Sequence, residues 1–514
     1  MIAPNTNIRL LKLPFEIDKR NQLTFTNLAA QTAYFEGLTA LEYDNTTYQR
    51  QNNIIRFEAP IDDIREYNYV MYKNESYTNK WFYAYITHME YKNDHTTDIT
   101  IETDVWQTWQ FDIVYKKMFV EREHVNDDTI GLHTIPEGLE LGEYICDGIT
   151  YDNTLDSFKY IVRVTEWTNG TKVYATNYGG VMAAGGAYIC DTASEVVSAI
   201  NSYASQGKED AVISVYMCPS YLISNTSGSA QYSGQTSPNT YSKQISKPST
   251  LDTYTPKNKK LLTFPFCYLN VSNNNGSNNT YMYELFNDTA CNFQVKGVPV
   301  IGTSTKIIPY KYKTSSAEYN EEEGLMGGKF PTLSWSSDEY INWLTQNSVN
   351  IGLGIASNVI TMAGGVGLMA SGASGLAGAG SVVSGAMGIA NTMGEVYKHS
   401  LTPNSARGNI NGGDINVSSS KNGFYFYKIS IKREYAKIID NFFNMYGYKV
   451  NDVKIPNITG RTYWNYVKTI DCNIEGEIPQ EDMQEIKDIF NNGVTFWHDA
   501  SKFLDYSQNN TIVV

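Results

Sequence analysis

Phe424-Tyr425-Phe426-Tyr427-Lys428-Ile429-Ser430-Ile431, followed at once by an amphipathic run from 433 to 445 and by Gly447, is the stretch that decides the fold class. Aromatic and β-branched residues crowd the first eight positions, as a strand requires. The run after it carries apolar residues at helical spacing, and Gly447 supplies the left-handed conformation that closes many helices. Two further strands are predicted over 448–455 and 462–474. Pro479 opens a second helix over 480–491, Gly493 ends it, and a last strand covers 494–498. Proline at the first turn and glycine after the last is the expected asymmetry. The order β-α-β-β-α-β predicts a ferredoxin-like unit with both helices on one sheet face.

Towards the N-terminus the helical spacing gives way to alternation. Asp98-Ile99-Thr100-Ile101-Glu102-Thr103-Asp104-Val105 switches between polar and apolar almost without fault, the mark of a half-buried strand. The aromatic run 80–91 precedes it, and Lys92-Asn93-Asp94-His95 between them predicts a hairpin. The middle is softer. A strand over 160–164 and a helix near 194–203 stand between Ser/Asn/Gly-rich stretches at 225–239 and 270–280, which favour turns and exposed loops. No fixed-period repeat appears. The fold class expected is therefore α+β and β-rich. The organisation expected is an N-terminal β-rich domain over 1–130 and a variable β-rich middle over 131–330. A long hydrophobic loop over 331–415 and an α+β C-terminal domain over 416–514 follow.

At 514 residues the chain is long enough for two to four packed units. Aromatic content is 13%, with 39 Tyr against 40 Lys plus Arg, a balance that suits sheets and large subunit interfaces. The net charge of −14 opposes nucleic-acid binding, which needs clustered cations to neutralise phosphates. Lys257, Lys259 and Lys260 read as a solvated loop. An acidic conduit through which DNA slides without sequence-specific binding is compatible with this balance. The first thirteen residues lack the basic region and apolar core of a secretory signal, so synthesis in a cytoplasm is expected.

Between Glu339 and Glu395 about 55 consecutive positions carry no Asp, Glu, Lys or Arg. A run of ~18 apolar residues is enough to suspect a membrane span. One arm holds Val349, Ile351, Leu353, Ile355, Val359, Ile360, Met362, Val366, Leu368 and Met369. The break Ala370-Ser371-Gly372-Ala373-Ser374-Gly375 follows, and the second arm holds Leu376, Val382, Val383, Met387 and Ile389. Two arms of ~20 residues each reach ~30 Å if helical, the thickness of a hydrocarbon core. Trp335, Trp343 and Tyr397 flank the run, where amphipathic rings favour the membrane boundary. Gly367 with Ser371 and Ser384 with Gly388 recur four apart, the spacing that lets helix backbones approach in lipid. The aliphatic side chains favour insertion by ~5–9 kcal/mol. The many glycines oppose it by up to ~1 kcal/mol each. A single copy therefore inserts marginally, and several copies together insert better. Packing inside an oligomer without lipid, or in an ordinary helical core, are the alternatives. Exposure on a soluble monomer is excluded by the size of the patch.

No catalytic constellation is visible. His88, His95, His124, His133, His399 and His498 fall in no metal-ligand spacing, and no nucleophile elbow or phosphate loop occurs. Glu121-Arg122-Glu123-His124 lies on a strand-like stretch and reads as a cross-strand or interface ion pair. Glu321-Glu322-Glu323 reads as a solvated hinge before the loop. His399 reads as a surface histidine, with pH sensing as the sharper alternative. Cys146, Cys190, Cys218, Cys267, Cys291 and Cys472 contain no close pair and are expected to be buried free thiols. No metal, no cofactor and no enzymatic activity are expected.

Three stretches are then recognisable. Asn79-Lys80-Trp81-Phe82-Tyr83-Ala84-Tyr85 continues through Asp104-Val105-Trp106-Gln107-Thr108-Trp109-Gln110-Phe111-Asp112-Ile113 to Val120-Glu121-Arg122-Glu123-His124-Val125. Phe442-Phe443-Asn444-Met445-Tyr446-Gly447-Tyr448-Lys449-Val450, Asn465-Tyr466-Val467 and Ile489-Phe490-Asn491-Asn492-Gly493-Val494-Thr495-Phe496-Trp497-His498 form the other end. Together these resemble the tail-knob proteins of small short-tailed phages that infect Gram-positive bacteria. The likeness covers about the first 150 and last 180 residues, and the uncharged segment lies between them as it does in that family. The resemblance implies a ring-forming tail-tube subunit at the virion tail tip, a homohexamer in contact with other tail proteins. The genome passes through its lumen, and its hydrophobic loops plug the tube and leave it to perforate the host membrane. A receptor-binding adhesin acting through 220–280, and a pore-forming toxin, are the competing readings.

Overall fold

Seven antiparallel strands near the N-terminus form the largest sheet, and alternation explains its buried face. The order across it is Ala40–Thr46, Thr6–Leu11, Tyr69–Asn74, Phe82–Asn93, Thr96–Thr103, Ile54–Phe57, Tyr48–Gln49. The computed structural model describes residues 5–329 and 423–513, apart from short breaks that are most frequent between 153 and 239. The expected hairpin is present, with Phe82–Asn93 paired to Thr96–Thr103 and Ile99 and Ile101 fully buried. Asp98, on the opposite face, is covered by side chains there: Arg56 directly opposite grips both its carboxylate oxygens at 2.7 and 2.9 Å. The second strand stops at Thr103. Asp104 becomes the cap of a short helix, Val105–Trp109, which the alternation alone did not announce; its carboxylate accepts from the Gln107 N–H at 3.0 Å.

The C-terminal elements appear nearly where they are expected. Tyr425–Ile431, Arg433–Tyr446, Tyr448–Lys454, Trp464–Ile470, Gln480–Asn492 and Val494–Trp497 alternate as strand, helix, strand, strand, helix and strand. Gly447 and Gly493 both have positive φ, 64° and 89°. The ferredoxin-like unit is nevertheless not what forms. Tyr425–Ile431 pairs with Tyr144–Tyr151 and Cys267–Ser272 in another sheet. The other three strands join a five-stranded sheet in the order Asn21–Leu23, Val494–Trp497, Trp464–Ile470, Met118–Glu123, Tyr448–Lys454. The place a fourth local strand would take is filled by Met118–Glu123, whose Met118 and Val120 complete the core. Element order is local, whereas strand pairing is settled by whichever apolar strand fits, however distant.

The described chain therefore forms two units. One comprises residues to Leu141, the returning segment Pro256–Leu261, and residues from Glu434 onward. Its core mixes both chain ends: Trp106 packs on Phe496 and Phe490 with ring centroids 4.5 and 6.1 Å away. The Trp109 indole N–H donates to buried Asp482 at 2.8 Å. Each such side chain, fully buried, contributes about 1.5–3 kcal/mol.

The second unit comprises Gly142–Thr255 and the described residues from Leu262 to Arg433. Its sheet of Tyr144–Tyr151, Tyr425–Ile431, Cys267–Ser272 and Asn278–Tyr281 packs on a second sheet. That second sheet holds Thr240–Ser246, Ala290–Gly297, Ser304–Tyr310 and Leu325–Lys329. Phe293 meets Phe426 and Tyr281 at ring distances of 5.5 and 5.2 Å between them, the interdigitation of a β-sandwich. The strand expected over 160–164 lies within Phe158–Val164. The stretch 270–280, expected as a loop, instead contains parts of two paired strands.

Candidate functional site

Every position expected to enter a membrane lies outside the described residues. So do the flanks Trp335, Trp343 and Tyr397, along with His399. Among the described residues no helix is long and apolar enough to cross a membrane. What the structure does describe is the root of the uncharged segment, in the second unit.

The chain enters the segment from the strand Leu325–Lys329 and comes back at Gly423. These two ends touch. A Cβ placed on Gly327 lies 3.4 Å from Cζ of Phe424, and Phe424 is fully buried. The Asn273 amide, at the end of the strand that pairs with Tyr425, donates to the Met326 carbonyl at 2.9 Å. About 90 residues (330–422) thus leave and return through one narrow place. Glu321 and Glu322 are exposed, as a solvated stretch requires, and Glu321 and Glu323 also brace the departing strand. Glu321 pairs with Lys296 and Lys306, and Glu323 with Lys313. The Glu323 carbonyl also accepts from the Tyr281 hydroxyl at 2.6 Å. On the returning side, a Cβ on Gly423 would lie 2.4 Å from the Tyr151 ring, so glycine allows the close approach there.

The first unit holds the other cluster singled out from the sequence. Glu121 pairs with Lys468 at 2.8 Å, and Glu123, fully buried, pairs with Lys454; both are contacts across neighbouring strands. His124 is enclosed. Its Nδ1 accepts from the Tyr466 N–H at 2.7 Å, and its Nε2 faces the Asn444 carbonyl at 3.1 Å, which places the proton on Nε2. Burial, aided by the Arg461 guanidinium, pushes its pKa down to about 3. A histidine so low and so occupied holds the sheet together and has no free nitrogen for proton transfer.

Arg122 leads to a group the sequence did not reveal. Its guanidinium pairs with Glu137, which also takes the Lys260 ammonium and, at 3.1 Å, the Lys449 N–H. Lys260 is therefore buried, and its burial holds its pKa below the usual lysine range. Beside it Asp440 accepts from the backbone N–H groups of Lys257 and Asn258 at 2.7 and 3.0 Å. These contacts fasten the returning segment to the first unit. Lys260 is part of that fastening by its buried side chain, where a solvated loop was expected, whereas Lys257 and Lys259 keep exposed side chains and Lys257 contributes its backbone N–H.

Of the cysteines described, Cys190, Cys267, Cys291 and Cys472 are buried free thiols, and burial pushes three of them up to about 12. Cys146 departs from expectation and is exposed. Among the described residues no group of three His, Cys, Asp or Glu side chains has the arrangement of a metal site.

Comparison with known proteins agrees with this architecture. Residues 4–116 match the N-terminal family of caudoviral major tail proteins. The tail knob protein gp9 of Bacillus phage phi29 is 26% identical, over 99% of this chain and 98% of its own length. That of Bacillus phage PZA is 27% identical over 96% of both. The structure of the bacteriophage C1 tail knob protein gp12 covers 99% of this chain with a TM-score of 0.65 at 14% identity, a likeness of fold. Residues 224–511 match the family defined by the C-terminal domain of the phi29 tail knob protein gp9, more than half of the chain, and the chain accordingly belongs to the phage tail knob proteins, structural components of the podophage virion tail.

Proposed function

We propose that six copies of this chain form a tube at the tail tip through which the genome leaves, and that the uncharged segment 340–394 of each copy enters the host membrane. The observation that carries the reading is the root of that segment: a long charge-free excursion held at both ends by one buried junction, Gly327 against Phe424. Such a root lets the arm move out without unravelling the sandwich, because the braces at Glu321, Glu323 and Asn273 stay behind it. The marginal insertion energy of one arm favours a concerted act by several copies. The acidic surface, with its net charge of −14, suits a passage that DNA must not adhere to. Ring closure with other tail proteins and the host membrane as final partner complete the reading.

Deleting 350–391 tests it. Particles carrying the deletion are expected to assemble and to attach to cells, but to deliver no genome. Normal infection by such particles refutes the membrane role. Dye release from liposomes by the isolated segment is the companion test, with Val359→Arg and Val383→Arg expected to abolish it.

A further inference from the structure

The sandwich of the second unit carries an outer face without charge, and contacts of the chain itself keep it so. Phe426 and Val271 stand opposite each other and are fully buried. Alternation turns their neighbours outward, Tyr425 and Tyr427 on one strand and Asn270 and Ser272 on the next. Three rows cross the sheet as a result. Tyr151, Tyr425, Ser272 and Asn278 form the first, and Ile149, Tyr427, Asn270 and Thr280 the second. Cys146, Ile429 and Tyr268 form the third. Two charged residues interrupt these strands, and both are drawn away. Asp147, at the bulge, accepts from the Ser430 hydroxyl and from the Asp252 N–H. The Lys428 ammonium donates to the Ser246 hydroxyl on the facing sheet at 2.9 Å. In a chain where 18% of residues are charged, such a face calls for a partner that is itself neutral.

Its two sides differ in chemistry. Rings and aliphatic groups crowd the strands Tyr144–Tyr151 and Tyr425–Ile431, whereas amides and hydroxyls dominate the outer side of Cys267–Ser272 and Asn278–Tyr281. Tyr151 lies 4.6 Å from Tyr425, and Tyr425 lies 6.1 Å from Tyr427 with the two rings nearly parallel. At the other end Tyr268 stands between Tyr144 and Phe264, at 5.7 and 6.1 Å. These two outer rings are 39% and 41% exposed, and the Tyr144 hydroxyl is fixed by the Pro265 carbonyl at 3.0 Å. Four residues of strand, ~13 Å, separate the two aromatic groups. Beside them the Asn270, Asn278 and Thr280 side chains make no hydrogen bond to another described residue.

A pyranose ring has an apolar C–H face and a rim of hydroxyls. It is recognised by an aromatic surface flanked by neutral donors and acceptors, and adjacent rows of this face supply both. A flat, open sheet suits a linear polymer, since a small molecule needs a concave pocket. A phosphate-bearing polymer needs Arg or Lys, and the face presents neither. We infer that this face binds a neutral polysaccharide, with Tyr427 and Tyr268 stacking on sugar rings and Asn270 and Thr280 bonding their hydroxyls. The site lies apart from the membrane reading and stands or falls without it.

Affinity electrophoresis of the full chain tests the assignment, in gels holding dextran, laminarin or a linear galactan, with polyglycerol phosphate as the anionic control. At least one neutral polymer is expected to retard the chain, and the control is not. Tyr427→Ala and Tyr268→Ala are each expected to weaken retardation about fivefold, the worth of one stacking contact. Tyr427→Phe keeps the ring and is expected to match the parent. Asn270→Ala removes a side chain with no partner to lose, so it keeps the test sharp if Tyr427→Ala fails to fold; it too is expected to weaken retardation. Retardation by none of the neutral polymers, or equal retardation of parent and alanine variants, overturns the inference. Stronger retardation by polyglycerol phosphate overturns it in favour of an anionic ligand. Loss of self-association in Tyr427→Ala, without glycan binding by the parent, overturns it and assigns the face to a neighbouring copy.

Discussion

Glu137→Gln is the substitution for which the structure gives the sharpest expectation. The carboxylate is 1% exposed and its partners Lys260 and Arg122 are 3% and 12% exposed, so water cannot take its place. The Lys260 ammonium is already held below its usual pKa, which means its loss of hydration outweighs the attraction of Glu137. The cluster is thus no net stabiliser relative to an apolar one of equal volume, and its importance lies in the cost of breaking it. Glutamine leaves two buried cations facing a neutral amide. Removing one partner from a buried pair costs about 3–5 kcal/mol. That is a large part of the ~5–15 kcal/mol that holds a folded domain. Five of the eight tryptophans, at 81, 106, 109, 464 and 497, belong to the first unit, so fluorescence in a urea titration reads that unit preferentially. Glu137→Gln is expected to shift the transition by the stated amount. Lys260→Met added to it is expected to recover part of the loss by removing one stranded cation. A shift below ~1 kcal/mol for Glu137→Gln, the range of a surface pair, refutes the reasoning.

Acidification should weaken the same unit through its histidines. His124 and His498 have folded-state pKa values of about 3 and about 4, below the ~6.5 of an unfolded chain. The unfolded chain therefore takes up protons that the folded one refuses, and stability is lost as pH falls below ~6.5, at up to ~1.4 kcal/mol per pH unit for each histidine. His124→Gln should reduce that slope by one proton between pH 6 and 4.5, and an identical slope in variant and parent contradicts the assignment. Gly447→Ala should be costly, because its Cβ would lie 2.1 Å from the Glu123 carbonyl oxygen at φ 64°. Left-handed strain alone is worth ~1–3 kcal/mol, and a clash with backbone cannot relax. Gly493→Ala meets the Tyr466 hydroxyl, the end of a side chain, and is expected to cost less; the reverse order in urea midpoints would count against the account.

The elements that were legible in the sequence are those specified by their own residues. The helix that ends at Gly447, the helix between Pro479 and Gly493, and the hairpin around Asp94 each carry periodicity and stop signals within a dozen positions. What could not be read is pairing at a distance. Nothing near Met118 indicates that it will stand opposite Lys454, and nothing near Tyr425 says that it will leave its C-terminal neighbours for Tyr151. The misreading of charge has the same origin: Lys260 looked solvated because its partner is 123 residues away. By contrast Glu121 and Glu123 were legible as cross-strand partners, since alternating charge on a strand has few other uses. Of the candidate site, composition gave the uncharged run and its limits. Only its root, at Gly327 and Phe424, became geometry.

The five-stranded sheet also determines where this chain tolerates change. It needs Asn21–Leu23 and Met118–Glu123 from one end and Tyr448–Lys454, Trp464–Ile470 and Val494–Trp497 from the other. Everything between 142 and 433 is enclosed by that closure, except for the six residues that return to be gripped by Asp440 and Glu137. Closing a longer loop costs little, ~0.6 kcal/mol for each doubling of length, so the enclosed part can grow or change while the closure keeps its strength. A twenty-residue Gly/Ser insert separates this account from a merely permissive surface. Placed after Gly276, in a turn where a Cβ meets nothing within 4 Å, it should leave the urea transition of the first unit within ~1 kcal/mol of the parent. Placed after Gly460, whose Cβ would lie 1.7 Å from Oδ1 of Asn126, it pulls apart a contact between the two chain ends and should lower the transition by several times that amount. Equal effects at the two positions would mean that the closure does not carry the unit's stability.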